Sequence, residues 1–136
     1  MFRTFGMLIA LLLVFGGFTA VTAQHKSDET GIFKSIGPEE AMRMLQGRDD
    51  IVFLDVRTPR ERSRGYIPGS RLVSFNDLVR DKVDLPKDRP ILLVCAVGGR
   101  SYVAGQILSR KGYKEVYNLS GGVSKWYKSG LPLVHD

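Results

Sequence analysis

The sequence predicts an α/β fold in which a small parallel sheet is covered by helices on both faces. Short apolar runs support this prediction, because strands buried on both faces read as continuous hydrophobic segments. Three such runs occupy residues 51–54, 91–94 and 116–119. Helical patterns separate them, and alternation of strands with helices is typical of parallel sheets. In such sheets the ligand site lies beyond the carboxyl ends of the strands.

The first half of the predicted domain begins with a helix over residues 37–47. Pro38 stands in its first turn, Glu39 and Glu40 face the positive end of the helix dipole, and Gly47 ends the pattern. The next elements are a strand at 51–54, a short helix opening at 58–61, a turn at 67–70, a short strand at 72–73 and a short helix at 76–80.

The second half continues the alternation of strands and helices. The strand at 91–94 is followed by a helix from Tyr102 to Lys111, which stops at Gly112. A strand at 116–119 leads through two glycines into a last helix, whose Trp126 we expect to pack in the core.

The first 23 residues have the layout of a secretory signal peptide. Arg3 is the only charged residue before His25, an apolar run follows it, and the small residues Val21 and Ala23 precede a cleavage site before Gln24. We therefore predict a periplasmic or secreted protein. The alternative is an uncleaved membrane anchor facing the periplasm, because the run approaches the ~20 residues that a spanning helix needs. The predicted division is a signal peptide at 1–23, a flexible leader at 24–35 and one domain at 36–134.

The length and the charge of the chain limit the kinds of function that it can have. A chain of 136 residues has room for one domain. Its formal net charge of +6 is spread along the sequence, without a basic run interleaved with aromatic residues, so we do not expect nucleic-acid binding. A positive field favours small anions instead. We expect neither a metal nor a cofactor.

The single cysteine, Cys95, is the first candidate for chemistry. It follows the apolar run 91–94 and opens a glycine-containing turn that leads into a helix. Backbone N–H groups and the positive end of a helix dipole meet at such a turn, and both lower the pKa of a thiol. We predict a nucleophilic cysteine in an anion-binding loop, while the alternative is a small buried apolar residue. The predicted loop consists of Ala96, Val97, Gly98, Gly99, Arg100 and Ser101.

Four motifs, in this order and spacing, resemble those of the single-domain rhodaneses, which are thiosulfate sulfurtransferase-like proteins. They are residues 55–61 (DVRTPRE), 65–70 (GYIPGS), 95–100 (CAVGGR) and 112–126 (GYKEVYNLSGGVSKW). The predicted export and the small size are similar to those of periplasmic, phage-shock-type members. Two positions depart from the family pattern. Tyr66 replaces a histidine, and Ala96 with Val97 replaces residues that are often basic or polar.

The resemblance implies transfer of sulfane sulfur by double displacement. The Cys95 thiolate would take the outer sulfur of a small donor anion, either thiosulfate or a persulfide or polysulfide, and the Cys95 persulfide would pass it to cyanide or a thiol. The apolar Ala96 and Val97 make the identity of the donor an open question. A histidine base is not expected, because His25 and His135 fall in predicted tails.

Four residues are predicted to assist Cys95. Arg100 either binds loop carbonyls or a carboxylate as a fork, or places positive charge beside the donor anion. Asp55 follows a strand and is expected to support the loop by accepting N–H bonds, while the alternative is a cap at the end of that strand. Arg57 and Glu61 stand four residues apart at a helix start, a spacing that predicts an ion pair.

Two other functions share this pattern. Phosphatases and arsenate reductases of the cell-division-cycle type have the same fold, but their loop places its arginine one residue further from the cysteine than Arg100 lies from Cys95. A non-catalytic persulfide carrier, which hands sulfur to a partner protein, would need the same loop. Turnover with small acceptors alone distinguishes the carrier from the enzyme.

Overall fold

The computed structural model describes residues 31–136. The predicted signal peptide, its cleavage site and His25 lie outside these residues. Within this range the elements are β1 (Ile32–Ile36), α1 (Pro38–Gly47), β2 (Val52–Asp55), α2 (Pro59–Arg62), β3 (Arg71–Leu72), α3 (Phe75–Val79), β4 (Ile91–Val94), α4 (Gly99–Arg110), β5 (Glu115–Leu119) and α5 (Gly122–Lys128).

The predicted fold class is confirmed. Five strands form one parallel sheet in the order β1-β5-β4-β2-β3. Strand β4 lies at its centre, and all four of its residues are buried. Asp55 pairs in register with Val94, so the carboxyl ends of β2 and β4 lie side by side and Cys95 follows at that edge. No helix within residues 31–136 is long and apolar enough to cross a membrane.

The predicted flexible leader at 24–35 extends too far, because its last residues belong to a strand. Residues from Ile32 onward form β1, which pairs with β5 along its whole length. This strand lies at the edge of the sheet, and of its five residues only Ile36 is buried. Because Ile32 stays 55% exposed and two polar residues follow within the strand, the segment lacks the continuous apolar run of a central strand.

The core consists of two apolar layers, one on each face of the sheet. Neighbouring residues of a strand point to opposite faces, so Leu93 packs in one layer and Leu92 in the other. Helices α3 and α4 cover the first layer, and α1 and α5 cover the second. Trp126 is buried as predicted, and its Nε1 donates to the carbonyl of Pro132 at 2.9 Å.

Helix α4 begins three residues earlier than predicted, at Gly99 rather than Tyr102. Gly98, the residue before it, has a φ of 98°, a left-handed conformation that glycine adopts without a steric penalty. The chain therefore turns sharply at Gly98 and enters the helix at once. As a result, Arg100 and Ser101 lie in the first turn of α4, next to the cysteine loop.

Candidate functional site

Cys95 lies directly after β4, with its thiol recessed among hydrogen-bond donors. The residue is 1% exposed. The backbone N–H of Gly98 donates to Sγ at 3.1 Å, and the hydroxyl of Ser101 lies 3.3 Å from Sγ. Burial raises the pKa of the Cys95 thiol, but hydrogen bonds from the Ser101 hydroxyl and from the N–H groups of Ser101, Gly98 and Val97 more than offset it. The pKa therefore lies below its ordinary value, and the loop stabilises an anionic sulfur.

Ser101 links the thiol to a chain of buried polar groups. Its Oγ lies 2.6 Å from Asn118 Oδ1, and Asn118 Nδ2 donates to Ser35 Oγ at 3.1 Å. A hydroxyl has one proton, so Ser101 donates either to the sulfur or to the amide oxygen. Donation to the sulfur stabilises a thiolate, whereas donation to Asn118 leaves the Ser101 oxygen free to accept from a protonated thiol. Asn118 thus competes with Cys95 for one proton.

The sequence motifs contain Asn118, but no role for it was predicted. The sequence signal that could have identified Asn118 is its position within the apolar run 116–119. A polar side chain on a buried strand needs a hydrogen-bond partner. Asn118 is 3% exposed, and its partners come from β1 and α4, which are distant from it in sequence.

Glycine at position 122 allows α5 to lie directly against the cysteine loop. A Cβ there would collide with the carbonyl oxygen of Cys95 and the backbone of Ala96. The first N–H groups of the helix use this close approach: Val123 N donates to the Cys95 carbonyl at 2.9 Å, and Ser124 N donates to the Ala96 carbonyl at 3.0 Å. Helix α5 therefore holds the loop through the carbonyl groups of Cys95 and Ala96.

The predicted ion pair between Arg57 and Glu61 is wrong. Arg57 is buried and binds Asp55 instead, with Nη2 at 2.7 Å and Nε at 3.0 Å from the carboxylate oxygens. The planar guanidinium fits a carboxylate, and Asp55 is the acid buried beside it. Arg57 reaches Glu61 only at its backbone carbonyl, at 3.3 Å. Asp55 accepts from the Arg57 N–H just after β2 and is otherwise occupied by arginines, so it caps the strand end and no hydrogen bond from the Cys95 loop to it is found within residues 31–136.

Glu61 binds Arg100, so the fork on a carboxylate is the role that the structure shows for this arginine. Glu61 Oε1 lies 2.6 Å from Arg100 Nη2, and Oε2 lies 3.0 Å from Nη1. The N–H of Thr58 also donates to Glu61, in a capping box at the start of α2. Arg100 first, and then Thr58, lower the pKa of Glu61 to about 2. This ion pair joins α2 to the first turn of α4.

A cavity of about 610 Å³ opens beside the cysteine loop. It reaches the loop at Ala96 and is bounded on one side by Arg57, Glu61, Arg64 and Gly65. Its other side is formed by α5 and the C-terminal segment, through Val123, Ser124, Tyr127, Leu131, Leu133 and His135.

The C-terminal segment, residues 131–136, is part of the cavity wall rather than a free tail. Val134 pairs with Tyr66 in an antiparallel bridge, and the Tyr66 hydroxyl donates to Asp136 at 2.9 Å. His135 lies against Gly65, with its Nε2 3.0 Å from where a Cβ would be. The expectation of a free tail is therefore wrong, although His135 itself is exposed, as a solvated residue would be. Tyr66, which departs from the family pattern, holds this segment in place.

Comparison with known proteins gives consistent results. Residues 37–129 match the rhodanese-like domain family. A sulfurtransferase of Allochromatium vinosum is 35% identical over 99 residues, which cover 73% of this chain and 92% of that protein. The thiosulfate sulfurtransferase GlpE of Pseudoalteromonas translucida is 32% identical over 94 residues, covering 69% and 89%. The solution structure of the polysulfide-sulfur transferase homodimer from Wolinella succinogenes is 29% identical, with a TM-score of 0.65, covering 76% of this chain and 80% of that one.

Proposed function

The chain belongs to the rhodanese family, and from this premise we propose that it is a sulfurtransferase that carries a sulfane sulfur on Cys95. The observation that carries the proposal is the convergence of the Gly98 N–H and the Ser101 hydroxyl on one recessed thiol. Covalent catalysis needs an activated nucleophile and a way to hold its anionic product, and this loop supplies both.

In the first step the Cys95 thiolate attacks the outer sulfur of the donor. A bond forms between Sγ and that sulfur, and the bond within the donor breaks. Sulfite leaves with the electron pair when the donor is thiosulfate, and a thiolate leaves when it is an organic persulfide. The product is a Cys95 persulfide, whose negative charge the loop donors stabilise.

In the second step a nucleophilic acceptor attacks the outer sulfur of the persulfide. Cyanide becomes thiocyanate, or a thiolate becomes a persulfide, and Cys95 leaves as a thiolate ready for the next donor. The groups that lower the pKa of Cys95 are hydrogen-bond donors of its own loop, so thiolate formation does not require a histidine base.

We propose a persulfide or polysulfide as the preferred donor over thiosulfate. A sulfonate group needs positive charge at the entrance to the loop, but Ala96 and Val97 are uncharged and Arg100 is already bound to Glu61. The name of the Wolinella succinogenes relative, a polysulfide-sulfur transferase, also supports such a donor.

Intact mass spectrometry tests this function directly. Incubation with a sulfane donor should add one sulfur, about 32 Da, to the wild type and nothing to Cys95→Ser. Adding cyanide should then remove the sulfur and produce thiocyanate catalytically. Sulfur transfer by Cys95→Ser would refute the assignment of the nucleophile. Loading without turnover on cyanide or small thiols would instead identify a persulfide carrier, and hydrolysis of aryl phosphates would favour the phosphatase alternative.

We also propose that the domain acts in the periplasm or outside the cell. The proposal rests on Arg3, the apolar run that follows it and the cleavage site before Gln24. N-terminal sequencing of the protein from its native membrane and soluble fractions tests it. A soluble chain beginning at Gln24 is expected, and a membrane-bound chain beginning at Met1 would show an uncleaved anchor.

A further inference from the structure

We propose that the cavity beside the Cys95 loop binds the organic part of a thiol acceptor that combines an apolar body with one carboxylate. This inference rests on the proposed sulfurtransferase function and names the substrate class of its second step. Three properties of the cavity carry it: its size, its apolar wall and the balance of its charges.

The cavity is much larger than cyanide or thiosulfate requires. Its volume of about 610 Å³ falls in the range of sites that enclose organic ligands. It also meets the reactive loop directly, since Ala96 is one of its lining residues. A thiol bound there by its organic part would therefore approach the loop that holds the persulfide.

The wall formed by α5 and the C-terminal segment is mostly apolar and is fixed in place. Val123, Tyr127 and Leu133 line it, and Tyr127 is 67% exposed. The hydrogen bond from Val123 N to the Cys95 carbonyl holds α5 against the loop, and the bond from Trp126 Nε1 to the Pro132 carbonyl holds the C-terminal segment against α5. A preformed apolar surface of this kind favours an aliphatic or aromatic body.

The lining residues between Arg57 and Gly65 leave one arginine available to a ligand. The carboxylate of Glu61 is bound by Arg100, and Arg57 is bound by Asp55. Arg64 is exposed and its guanidinium has no hydrogen-bond or ion-pair partner within residues 31–136. The charge presented to a ligand is therefore positive, which matches a single carboxylate on the acceptor.

The chemistry of the step balances without a further reactant. The thiolate of the bound acceptor attacks the outer sulfur of the Cys95 persulfide, the bond between that sulfur and Sγ breaks, and Cys95 leaves as a thiolate. The acceptor departs as an organic persulfide. The proton lost from the acceptor thiol goes to solvent, and no net oxidation occurs.

Three acceptor thiols separate the contributions of the two walls. Para-(mercaptomethyl)benzoate has both the ring and the carboxylate, benzyl mercaptan has only the ring, and mercaptopropionate has only the carboxylate. With thiosulfate as the common donor and the full-length chain as the enzyme, we expect the lowest KM for para-(mercaptomethyl)benzoate. Cyanide serves as the reference acceptor, since it uses the same persulfide but is too small to fill the cavity.

Two variants and two matched controls assign the effect to the cavity. Arg64→Gln should raise the KM for para-(mercaptomethyl)benzoate about fivefold relative to benzyl mercaptan, as loss of an exposed ion pair would. Tyr127→Ala should lower kcat/KM for both aromatic thiols about fivefold relative to cyanide. Arg60→Gln and Lys128→Ala change exposed residues of α2 and α5 outside the cavity and should match the wild type.

The outcomes separate the two proposals. If the wild type transfers sulfur to cyanide but shows the same KM for all three thiols, the cavity inference is wrong and the sulfurtransferase function stands. If Arg64→Gln affects the carboxylate thiols no more than Arg60→Gln does, the assignment of the carboxylate partner is wrong. Absence of thiocyanate formation by the wild type would overturn the sulfurtransferase function itself.

Discussion

Replacing Ser101 with alanine removes one of the donors that hold the Cys95 thiolate, and its effect can be worked out from the structure. A hydrogen bond to a charged acceptor contributes about 1.5–3 kcal/mol. The lower end of that range applies, because the contact of 3.3 Å is long and the hydroxyl is shared with Asn118. About 1.4 kcal/mol is a factor of ten in an equilibrium constant, so the pKa of Cys95 should rise in Ser101→Ala and its thiolate fraction at low pH should fall about tenfold.

The direction of the effect on the reactivity of Cys95 follows from the pKa of its thiol. The native loop keeps the pKa of Cys95 below its ordinary value, so the thiolate forms at a lower pH than in a free cysteine. In Ser101→Ala the thiolate appears only at higher pH. Below the wild-type pKa, reaction with iodoacetamide should therefore slow about tenfold, and the two proteins should converge once both thiols are ionised.

The assay is simple because Cys95 is the only cysteine of the chain, so every alkylated molecule reports on it. Alkylation rates are followed by intact mass across the acid and neutral range. Ser129→Ala is the matched control, since its hydroxyl donates to the Lys125 carbonyl near the end of α5. Coincident pH profiles for Ser101→Ala and the wild type would refute the argument that this hydroxyl stabilises the thiolate.

Asn118→Ala should shift the pKa of Cys95 in the direction opposite to Ser101→Ala. Without the amide oxygen, Ser101 has the sulfur as its remaining buried acceptor, so the pKa of Cys95 should fall rather than rise. A general loss of packing would slow or disturb both variants in the same direction. A shift in the same direction for Ser101→Ala and Asn118→Ala would therefore contradict the proposed competition for one proton.

Three further perturbations test other parts of the site. Glu61→Gln should lower the Tm by about 2–4 °C at neutral pH, as loss of a partly exposed ion pair would. Because the pKa of Glu61 is lowered to about 2, this difference in Tm should persist above the ordinary pKa of a glutamate and disappear as the pH falls through 2. A difference in Tm that does not depend on pH would argue against the ion pair. Gly122→Ala should lower the free energy of unfolding in urea by at least about 2 kcal/mol more than Gly130→Ala does. Both glycines have a positive φ, but only Gly122 would place a Cβ against the Cys95 loop. Equal losses would show that only the backbone strain common to both positions matters. Ala96→Arg should lower the KM for thiosulfate about tenfold, equivalent to ~1.4 kcal/mol, because it adds positive charge at the entrance to the loop. An unchanged KM in steady-state assays would show that other residues bind the donor.

The fold could be predicted from the sequence wherever burial on both faces leaves a continuous apolar run. This holds for β4, all of whose residues are buried. It fails for β1, because an edge strand with one buried residue does not need such a run. Local propensity likewise located the cysteine turn but misplaced the start of α4, because the left-handed conformation of Gly98 lets the helix begin at the next residue.

The site could be predicted only as far as its interactions are local in sequence. Cys95 and its loop were found because the donors follow the cysteine within a few residues. The pairing rule for residues four apart assigned Glu61 the wrong partner, because Arg100 is 39 residues away along the chain. Asn118 was missed for the same reason, since its contact with Ser101 requires β5 to lie beside β4.

The contact between α5 and the cysteine loop has an electronic consequence. Ser124 N donates to the Ala96 carbonyl, and that carbonyl shares a peptide unit with the Val97 N–H, which in turn lowers the pKa of Cys95. A carbonyl that accepts a hydrogen bond polarises its peptide unit and makes the N–H at the other end a stronger donor. Helix α5 therefore acts on the sulfur through a polarised amide without touching it. A substitution that moves this helix away from the Ala96 carbonyl would weaken the Val97 N–H as a donor and so change the acidity of a thiol that the helix does not bind.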